Sequence, residues 1–435
     1  MVDGRTGLID RRIFADPLVY ERELAQIFGR CWLLLGHECQ IPNENDYMTA
    51  YMGEDPVIVS RLAGGRIVAH LNMCRHRGNR VCRADSGNAR SFTCPFHGWT
   101  FGNDGRLDHV PGLDEVYYGE LDVASNGLVP VGQLDTYKGL IWATWDRDAP
   151  PLLDYLGDMA WYLDLVLDRR EGGIEFLPGV HKWQVHCNWK FPADNFIGDS
   201  YHGPVSHKSA WVSGFEGQPR RKPGYGYEGF QISPGNGHGL GARWAESPEE
   251  YVAMGLPEFQ EYDRARLPEA EQRLGPVRAW KISPMHATIF PNVSILWQGG
   301  TIRVWHPRGP GLTQAWGWCF VDRDAPAPMK KIVRLHETHR HGTSGTWETD
   351  DIDNWVMSTQ ASRGHVARAY PANISMGVGH ESSFPELRGR IGKFQSEINQ
   401  RAFYSHWAEM MASEGRWPAL ERGGESVAER AAGGR

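Results

Sequence analysis

The sequence predicts an α+β protein in two main parts: a small all-β module, then a larger α+β domain built on an antiparallel sheet. Three observations predict it. From about residue 37 to 150, apolar residues alternate in short runs broken by Gly-Gly, Asn-Asp-Gly and Pro-Gly, the pattern of an antiparallel all-β module. Asp148-Ala-Pro-Pro151 punctuates its end and sets a domain boundary near 150. Beyond it, strand-like and helical stretches follow one another without the regular strand–helix repeat of a parallel βαβ fold.

Composition bounds the function. A chain of 435 residues, 41% hydrophobic and 23% charged, holds two or three globular domains. The net charge of −7, with no basic block to neutralise phosphates, argues against a nucleic-acid partner. There is neither an apolar run of about 18 residues nor a basic, apolar N-terminus, so no membrane span or secretory signal is expected and the cytoplasm is the expected compartment. Seven cysteines, scattered and odd in number, do not form a disulfide framework.

In chain order, residues 16–35 carry Leu18, Leu24, Ile27 and Phe28 near helical spacing, with Asp16 as cap and Pro17 at the first helical position. This predicts a helical arm over 1–36. Strands are expected at YMTAYM, PVIVSRL, RIVAHLNMC, ARSFTC, GWTFG and GLIWATW. After the boundary comes a helix over LLDYLGDMAWYLDLVLD, then strands HKWQVHCNWKF, MHATIFPNVSILW, TIRVWHP and TQAWGWCFVD among helices up to about 420. Gly224, Gly226 and Gly229 match a dinucleotide fingerprint by letter only, because Pro-Arg-Arg-Lys-Pro precedes them where a strand is required; a glycine-rich loop over a pocket is expected instead. Residues 421–435 are polar and glycine-rich, as in a disordered tail.

Two short stretches carry the first chemistry. Cys74-x-His76 and Cys94-x-x-His97 fall where strands run into loops, and a rigid scaffold can present ligands there. Two cysteines and two histidines also describe structural zinc. A zinc finger, however, keeps its cysteines in one pair and its histidines in the other, whereas here each pair holds one of each. Mixed pairs suit a [2Fe–2S] centre in which one iron takes two thiolates and the other two imidazoles.

A second set lies downstream in Asp194-Asn195-Phe196-Ile-Gly-Asp199-Ser-Tyr-His202-Gly-Pro-Val-Ser-His207. Helical spacing would put Asp199 and His202 on one face, Asn195 a turn earlier, with Gly203-Pro204 bending the helix to bring His207 round. Non-haem Fe(II) that activates O₂ needs two histidines and one carboxylate, leaving open positions. Asp350, Asp351 and Asp353 compete for that role, and acids are also favoured in the first turn of any helix. His336, His339 and His341 form a rival cluster, adequately explained as cations at a helix C-terminus ended by Gly342.

CRHRG (74–78), CPFHGW (94–99) and DNFIGDSYHGPVSH (194–207) resemble the motifs of the Rieske non-haem iron oxygenases, in particular the large subunits of aromatic-ring-hydroxylating dioxygenases of the naphthalene and polycyclic type. The resemblance runs from about 15 to 410 and includes Arg303-Val-Trp-His-Pro and Ser375-Met-Gly-Val-Gly379. It implies an all-β Rieske domain over 37–150 and a helix-grip-like catalytic domain over 151–420, with the arm packed on the latter. It also implies that Cys74, His76, Cys94 and His97 hold the cluster, and that His202, His207 and Asp351 hold iron. Asp351 is chosen as the second acid, four residues after Trp347. Asp199 resembles the acid that bridges a cluster histidine, His97, to an iron histidine, His202, across neighbouring copies of an α-subunit trimer.

The implied activity is cis-dihydroxylation of an aromatic ring, polycyclic or diaryl. O₂ is the co-substrate, and electrons come from NAD(P)H through a reductase and ferredoxin. A small β subunit would complete an α3β3 assembly in place of α3. Expected pocket residues are Phe196, Trp347, His341 and His238, with the loop Gly235–Gly239 and residues 293–297, and Asn195 as a polar contact near iron. His341 stands where naphthalene-type members carry an aromatic pocket residue, so a purely apolar pocket does not follow. The alternative within the superfamily is a monooxygenase or O-demethylase, or a hydroxylase of polar or carboxylated aromatics.

Overall fold

The computed structural model describes residues 1–213, 229–251, 257–297 and 300–421. Its chain divides into two compact units, one of Phe28–Ala149 and one joining Met1–Ile27 to the residues from Pro150 onward. The expected arm over 1–36 is therefore too long, because Leu33–His37 pairs with Leu140–Thr144 inside the first unit. Of the expected tail, all but the first residue lies outside the described residues, as do Gly224 and Gly226. Among the described residues no helix is long and apolar enough to cross a membrane.

The Phe28–Ala149 unit is all-β, as its alternating runs require. Its strands are β1 Leu33–His37, β2 Asp46–Met52, β3 Asp55–Arg61, β4 Ile67–Leu71, β5 Ser86–Asn88, β6 Ser91–Thr93, β7 Thr100–Gly102, β8 Leu107–His109, β9 Gln133–Tyr137 and β10 Leu140–Thr144. They form three small antiparallel sheets, ordered β4-β3-β2-β5, β8-β7-β6 and β9-β10-β1. One apolar cluster includes Cys74, Val81, Cys82, Phe92, Cys94, Trp99 and Phe101, so the cysteines that follow β4 and β6 are anchored in the core.

The larger unit is α+β. Its helices are α1 Pro17–Glu23, α2 Leu152–Leu156, α3 Met159–Leu167, α4 Lys190–Phe196, α5 Gly203–Ser206, α6 Lys208–Ser213, α7 Pro257–Ala265, α8 Leu267–Pro276, α9 Ala327–His341, α10 Thr346–Ser362 and α11 Ile398–Ala412. Besides a small three-stranded sheet of Val2–Asp3, Leu8–Ile9 and Ala372–Asn373, its strands are β11 Ile174–Phe176, β12 His181–Val185, β13 Phe230–Gly235, β14 His238–Trp244, β15 Ile282–Ile289, β16 Val293–Leu296, β17 Thr301–Pro307, β18 Thr313–Asp322 and β19 Arg390–Lys393. They form one antiparallel sheet in the order β11-β18-β17-β16-β15-β14-β13-β19, with β12 also on β18. This is the antiparallel catalytic-domain sheet the sequence predicts. One face grips α4 and α11: Thr288 Oγ1 on β15 donates to the Ala193 carbonyl at 2.8 Å, and Asn399 Nδ2 on α11 donates to the Leu240 carbonyl at 3.0 Å.

Several predicted elements are cut shorter by local chemistry. Asp16 caps α1, accepting from the Leu18 amide at 2.9 Å, but the helix becomes a π turn over Leu24–Phe28 and the chain then enters β1. Leu18 is exposed; the buried face is Tyr20, Glu23, Ile27 and Phe28. The helix expected over 152–168 breaks at Gly157, whose φ of 52° ends α2. HKWQVHCNWKF is strand only to Val185, since its last two residues open α4. MHATIFPNVSILW is a hairpin, not one strand, because Pro291 has no amide to donate to a ladder.

Candidate metal centres

The Cys/His loops of the all-β unit are built alike. In the first, the Gly78 amide donates to the Cys74 carbonyl at 2.9 Å and the Cys74 amide to the Asn79 carbonyl at 2.8 Å; in the second, Gly98 donates to Cys94 at 3.0 Å and Cys94 to Trp99 at 2.8 Å. Both turns close through a left-handed glycine, Gly78 at φ 75° and Gly98 at φ 77°. The first loop is fixed further by buried Asn72, which donates to the Cys82 carbonyl and accepts from the Val81 and Cys82 amides. Both cysteines are buried, and the His76 and His97 rings lie 4.6 Å apart, with His76 stacked on Trp99.

These loops suit an iron–sulfur cluster. Burial pushes the Cys74 thiol up, and the adjacent Cys94 sulfur adds to it, so two thiolates here require cationic partners. His76 Nδ1 is buried without a hydrogen-bond partner among the described residues.

The second centre is in the larger unit. The Nε2 atoms of His202 and His207 are 3.1 Å apart, and Asp351 Oδ1 lies 3.5 Å from the first and 3.4 Å from the second. Bonds of about 2.1 Å meeting at one cation separate their ligand atoms by roughly 3 Å, so the three atoms fit one ion. Asp351 Oδ1 is buried with no hydrogen-bond partner among the described residues. Each imidazole turns its other nitrogen to a carboxylate: His202 Nδ1 is 3.2 Å from Asp199 Oδ2, and His207 Nδ1 is 3.4 Å from Asp350 Oδ2. The first contact is an ion-pair approach, its N–H lying off the oxygen. A carboxylate behind each ligating histidine is the usual support of a metal site.

Electrostatics agree with a cation at this point. Burial opposes charge on His202, yet the Asp199 and Asp351 carboxylates overcome it and push the imidazole up to about 9. Burial and the charge on His202 hold His207 neutral, down to about 3. Burial pushes Asp351 up to about 7.

The local path differs from the predicted helix. α4 ends at Phe196, and Gly198, at φ 136°, turns the chain, so Asp199 and His202 lie in a turn and not on one helical face. Pro204 starts the short α5, where its missing amide costs nothing, instead of bending a continuous helix. The three competing acids separate on α10: Asp351 is buried at the two histidines, Asp350 stands behind His207, and Asp353 is exposed.

The expected pocket residues divide. Trp347 packs 4.6 Å from the His207 ring, and His341 lies 6.3 Å beyond it. Phe196 is buried against Trp305 and Trp355, under the Arg303 guanidinium. Asn195 is half-buried, its carbonyl accepting from the Asp199 amide at 3.2 Å. His238 is not a pocket residue: fully buried, its Nε2 donates to the Tyr155 carbonyl and its Nδ1 accepts from the Phe290 amide, each at 2.9 Å, which uses both ring nitrogens. Gly235–Gly239 is correspondingly the tight turn joining β13 to β14, with Asn236 and Gly237 at positive φ, and not a pocket loop. In 293–297, strand alternation splits the run, with Ser294 and Leu296 on the face shared with Thr288 and His286.

The rival trio is not a set of helix-end cations. Burial holds His336 down to about 3 and takes His341 well below the usual imidazole range, so both are neutral. His286 went unremarked in sequence: its Nδ1 is buried without a partner among the described residues, and burial, then the charge on His202, lower it to about 4. Only its alternation with Thr288 on β15 could have signalled it.

Comparison with known proteins agrees with both centres. Residues 31–131 match the Rieske [2Fe-2S] domain family, and residues 153–413 match the family described as ring hydroxylating alpha subunit (catalytic domain). The chain is similar to the biphenyl 2,3-dioxygenase subunit alpha of Rhodococcus jostii (strain RHA1), 43% identical over 99% of this chain and 94% of that protein. It is similar to the benzene 1,2-dioxygenase subunit alpha of Pseudomonas putida, 41% identical over 97% and 94%. Among solved structures it resembles naphthalene 1,2-dioxygenase from Rhodococcus sp. bound to indole, with TM-score 0.83 and 36% identity over 94% of this chain and 95% of that one. With a Rieske fold around paired Cys/His loops and a His-His-Asp site in the matching catalytic fold, the chain belongs to the aromatic-ring-hydroxylating dioxygenase alpha-subunit family, enzymes that carry a [2Fe–2S] cluster and a mononuclear iron.

Proposed function

We propose that this chain is the large subunit of a terminal oxygenase, working in the cytoplasm, that cis-dihydroxylates a neutral two-ring hydrocarbon of the biphenyl type. When bound, the cluster supplies single electrons and the mononuclear iron activates O₂. Cys74, His76, Cys94 and His97 hold the cluster. His202, His207 and Asp351 hold the iron, with Asp199 and Asp350 orienting the two imidazoles. Trp347, His286 and Leu296 supply walls beside the iron, with His341 beyond Trp347.

The observation that carries the substrate class is that, among the described residues, the imidazoles beside those walls are uncharged. His341 and His286 are held neutral by burial. Arg303 is committed to Glu348, Glu337 and the His341 carbonyl, and Arg340 lies over Trp347 and donates to His336. A carboxylated ring would find no charged imidazole to pair with there, and an unpaired buried charge is costly, whereas a hydrocarbon needs no partner. The similarity to a biphenyl dioxygenase subunit over nearly the whole chain points the same way.

The assembly proposed is a homotrimer, with or without a small β subunit, in which His97 of one copy meets Asp199 of the next. Phe96, beside His97, is 55% exposed, and Tyr201 and Val205, flanking His202, are 48% and 70% exposed, which suits a contact at each centre. A ferredoxin and reductase deliver the electrons.

The test is turnover of biphenyl, naphthalene, benzene and benzoate under labelled dioxygen with a reconstituted electron chain. Two labelled atoms in one cis-dihydrodiol from biphenyl are expected. A single labelled atom per product would point to monooxygenation, and preferred turnover of benzoate would overturn the substrate class.

A further inference from the structure

Two buried amide side chains, far apart in sequence, converge on the backbone turn that presents Asp199. Gln231, on β13, donates through Nε2 to the Gly198 carbonyl and, at 2.7 Å, to the Phe394 carbonyl. Asn399, on α11, donates through Nδ2 to the Ile197 carbonyl at 2.9 Å, to the Leu240 carbonyl at 3.0 Å and to Gln231 Oε1 at 2.7 Å. Both residues are 0% exposed. The two amides thus bond each other and take the two successive carbonyls that precede Asp199.

The turn they hold has no slack. Gly198 sits at φ 136°, and a Cβ there would lie 2.1 Å from Gln231 Oε1 and 2.6 Å from Asn399 Nδ2. Directly after it, Asp199 Oδ1 accepts from the Tyr201 amide at 2.9 Å and the His202 amide at 3.2 Å, which leaves Oδ2 to face His202 Nδ1. The direction of that carboxylate follows from the plane of the Ile197–Gly198 peptides, and the amides fix those planes.

We infer that Gln231 and Asn399 are positioning residues for electron delivery: by clamping Ile197 and Gly198 they aim the Asp199 carboxylate at His202 and at the histidine it meets across the subunit contact. This rests on the reading of Asp199 as the bridging acid. Neither amide touches the iron, its ligands or substrate, so their influence runs through backbone geometry alone. A buried amide that only stabilised the fold would change the melting temperature and leave electron transfer at its ordinary rate.

The experiment uses the metal-loaded oxygenase carrying Gln231→Met or Asn399→Leu, which keep size and remove the donors, with Asn399→Asp as an isosteric variant should the apolar ones not accumulate. Asp199→Asn is run beside them. Chemically reduced enzyme is mixed with O₂ and substrate, and bleaching recovery of the cluster absorption gives the rate of cluster oxidation in one turnover. A second readout, independent of turnover, is Co(II) affinity of the iron-free protein. Slowing of at least tenfold in cluster oxidation and about tenfold weaker Co(II) binding are expected in folded amide variants, the scale set by outer-shell substitutions at metal sites. Wild-type rates and affinity in those variants beside a slow Asp199→Asn would overturn the positioning role and leave the bridging reading intact. A wild-type rate in Asp199→Asn would overturn the bridging reading and the inference with it.

Discussion

Asp350 and Asp351 are adjacent in sequence yet face different nitrogens. On α10 successive residues point about 100° apart, so Asp351 reaches the two Nε2 atoms while Asp350 supports His207 from behind. Asp351→Ala should abolish turnover and leave cluster absorption intact. Asp350→Ala should keep both metals but weaken iron binding by about 10-fold to 100-fold, measured by titration of iron-free protein. Loss of cluster colour in either variant would count against two separate sites. His238 makes a different prediction, because burial takes it down to about 3 from an unfolded value of about 6.5. Between those values the unfolded chain binds the proton and the folded one does not, so its contribution is complete above about pH 6.5 and is lost as pH falls towards 3. Denaturant titrations from pH 7 to 4 should show stability falling with pH, with a shallower slope in His238→Gln, which can donate and accept without titrating.

At the scale of elements, the N-terminal arm is tied to the helix that leads into the iron site. Glu23, at the end of α1, is fully buried and accepts from Lys190 Nζ at 2.5 Å, Trp189 Nε1 at 2.9 Å and Trp407 Nε1 at 2.8 Å. Lys190 opens α4 and lies near the Phe14, Trp189 and Trp407 rings. Burial lowers the Lys190 ammonium and Glu23 raises it again, so removing the acid strands a cation. Glu23→Ala should cost about 3–5 kcal/mol in urea unfolding, whereas Glu23→Gln with Lys190→Met should recover much of it, since an uncharged pair replaces the buried ion pair and the glutamine carbonyl can still accept from the two indoles. Helix existence was legible here from Asp16 and Pro17, but the buried face was not. An apolar period selects Leu18 as core, and only the position of Trp189 and Trp407 makes Glu23 the inward residue.

For the whole molecule, the decisive question is whether the electron crosses between copies. The proposed trimer predicts complementation: chains lacking the cluster through Cys74→Ser, co-assembled with chains lacking iron through His202→Ala, should regain turnover that neither shows alone. In such a mixture the cluster of one variant feeds the iron of the other. No recovery in verified mixed trimers would place both centres of the working pair on one chain.

The cluster loops could be read from sequence alone because each is local: a cysteine, a histidine and a left-handed glycine lie within one turn, and spacing fixes their chemistry. The histidine pair at 202 and 207 was less legible, because the helical spacing expected there is broken at Gly198 and its iron role rested on resemblance to relatives. Choosing among three closely spaced acids, Asp350, Asp351 and Asp353, required resemblance to relatives, since their separation depends on the rotation of α10 against those histidines. Only tertiary structure could decide the rest. It spent both nitrogens of His238 on backbone groups, brought His286 towards His202, and closed Gln231 and Asn399, 168 residues apart, on the turn before Asp199. Sequence determines which chemistry is present, because ligand types and short spacings are covalent facts; the packing of the sheet against α4, α10 and α11 decides which groups are free to perform it, because burial and hydrogen bonding are settled between residues distant in the chain.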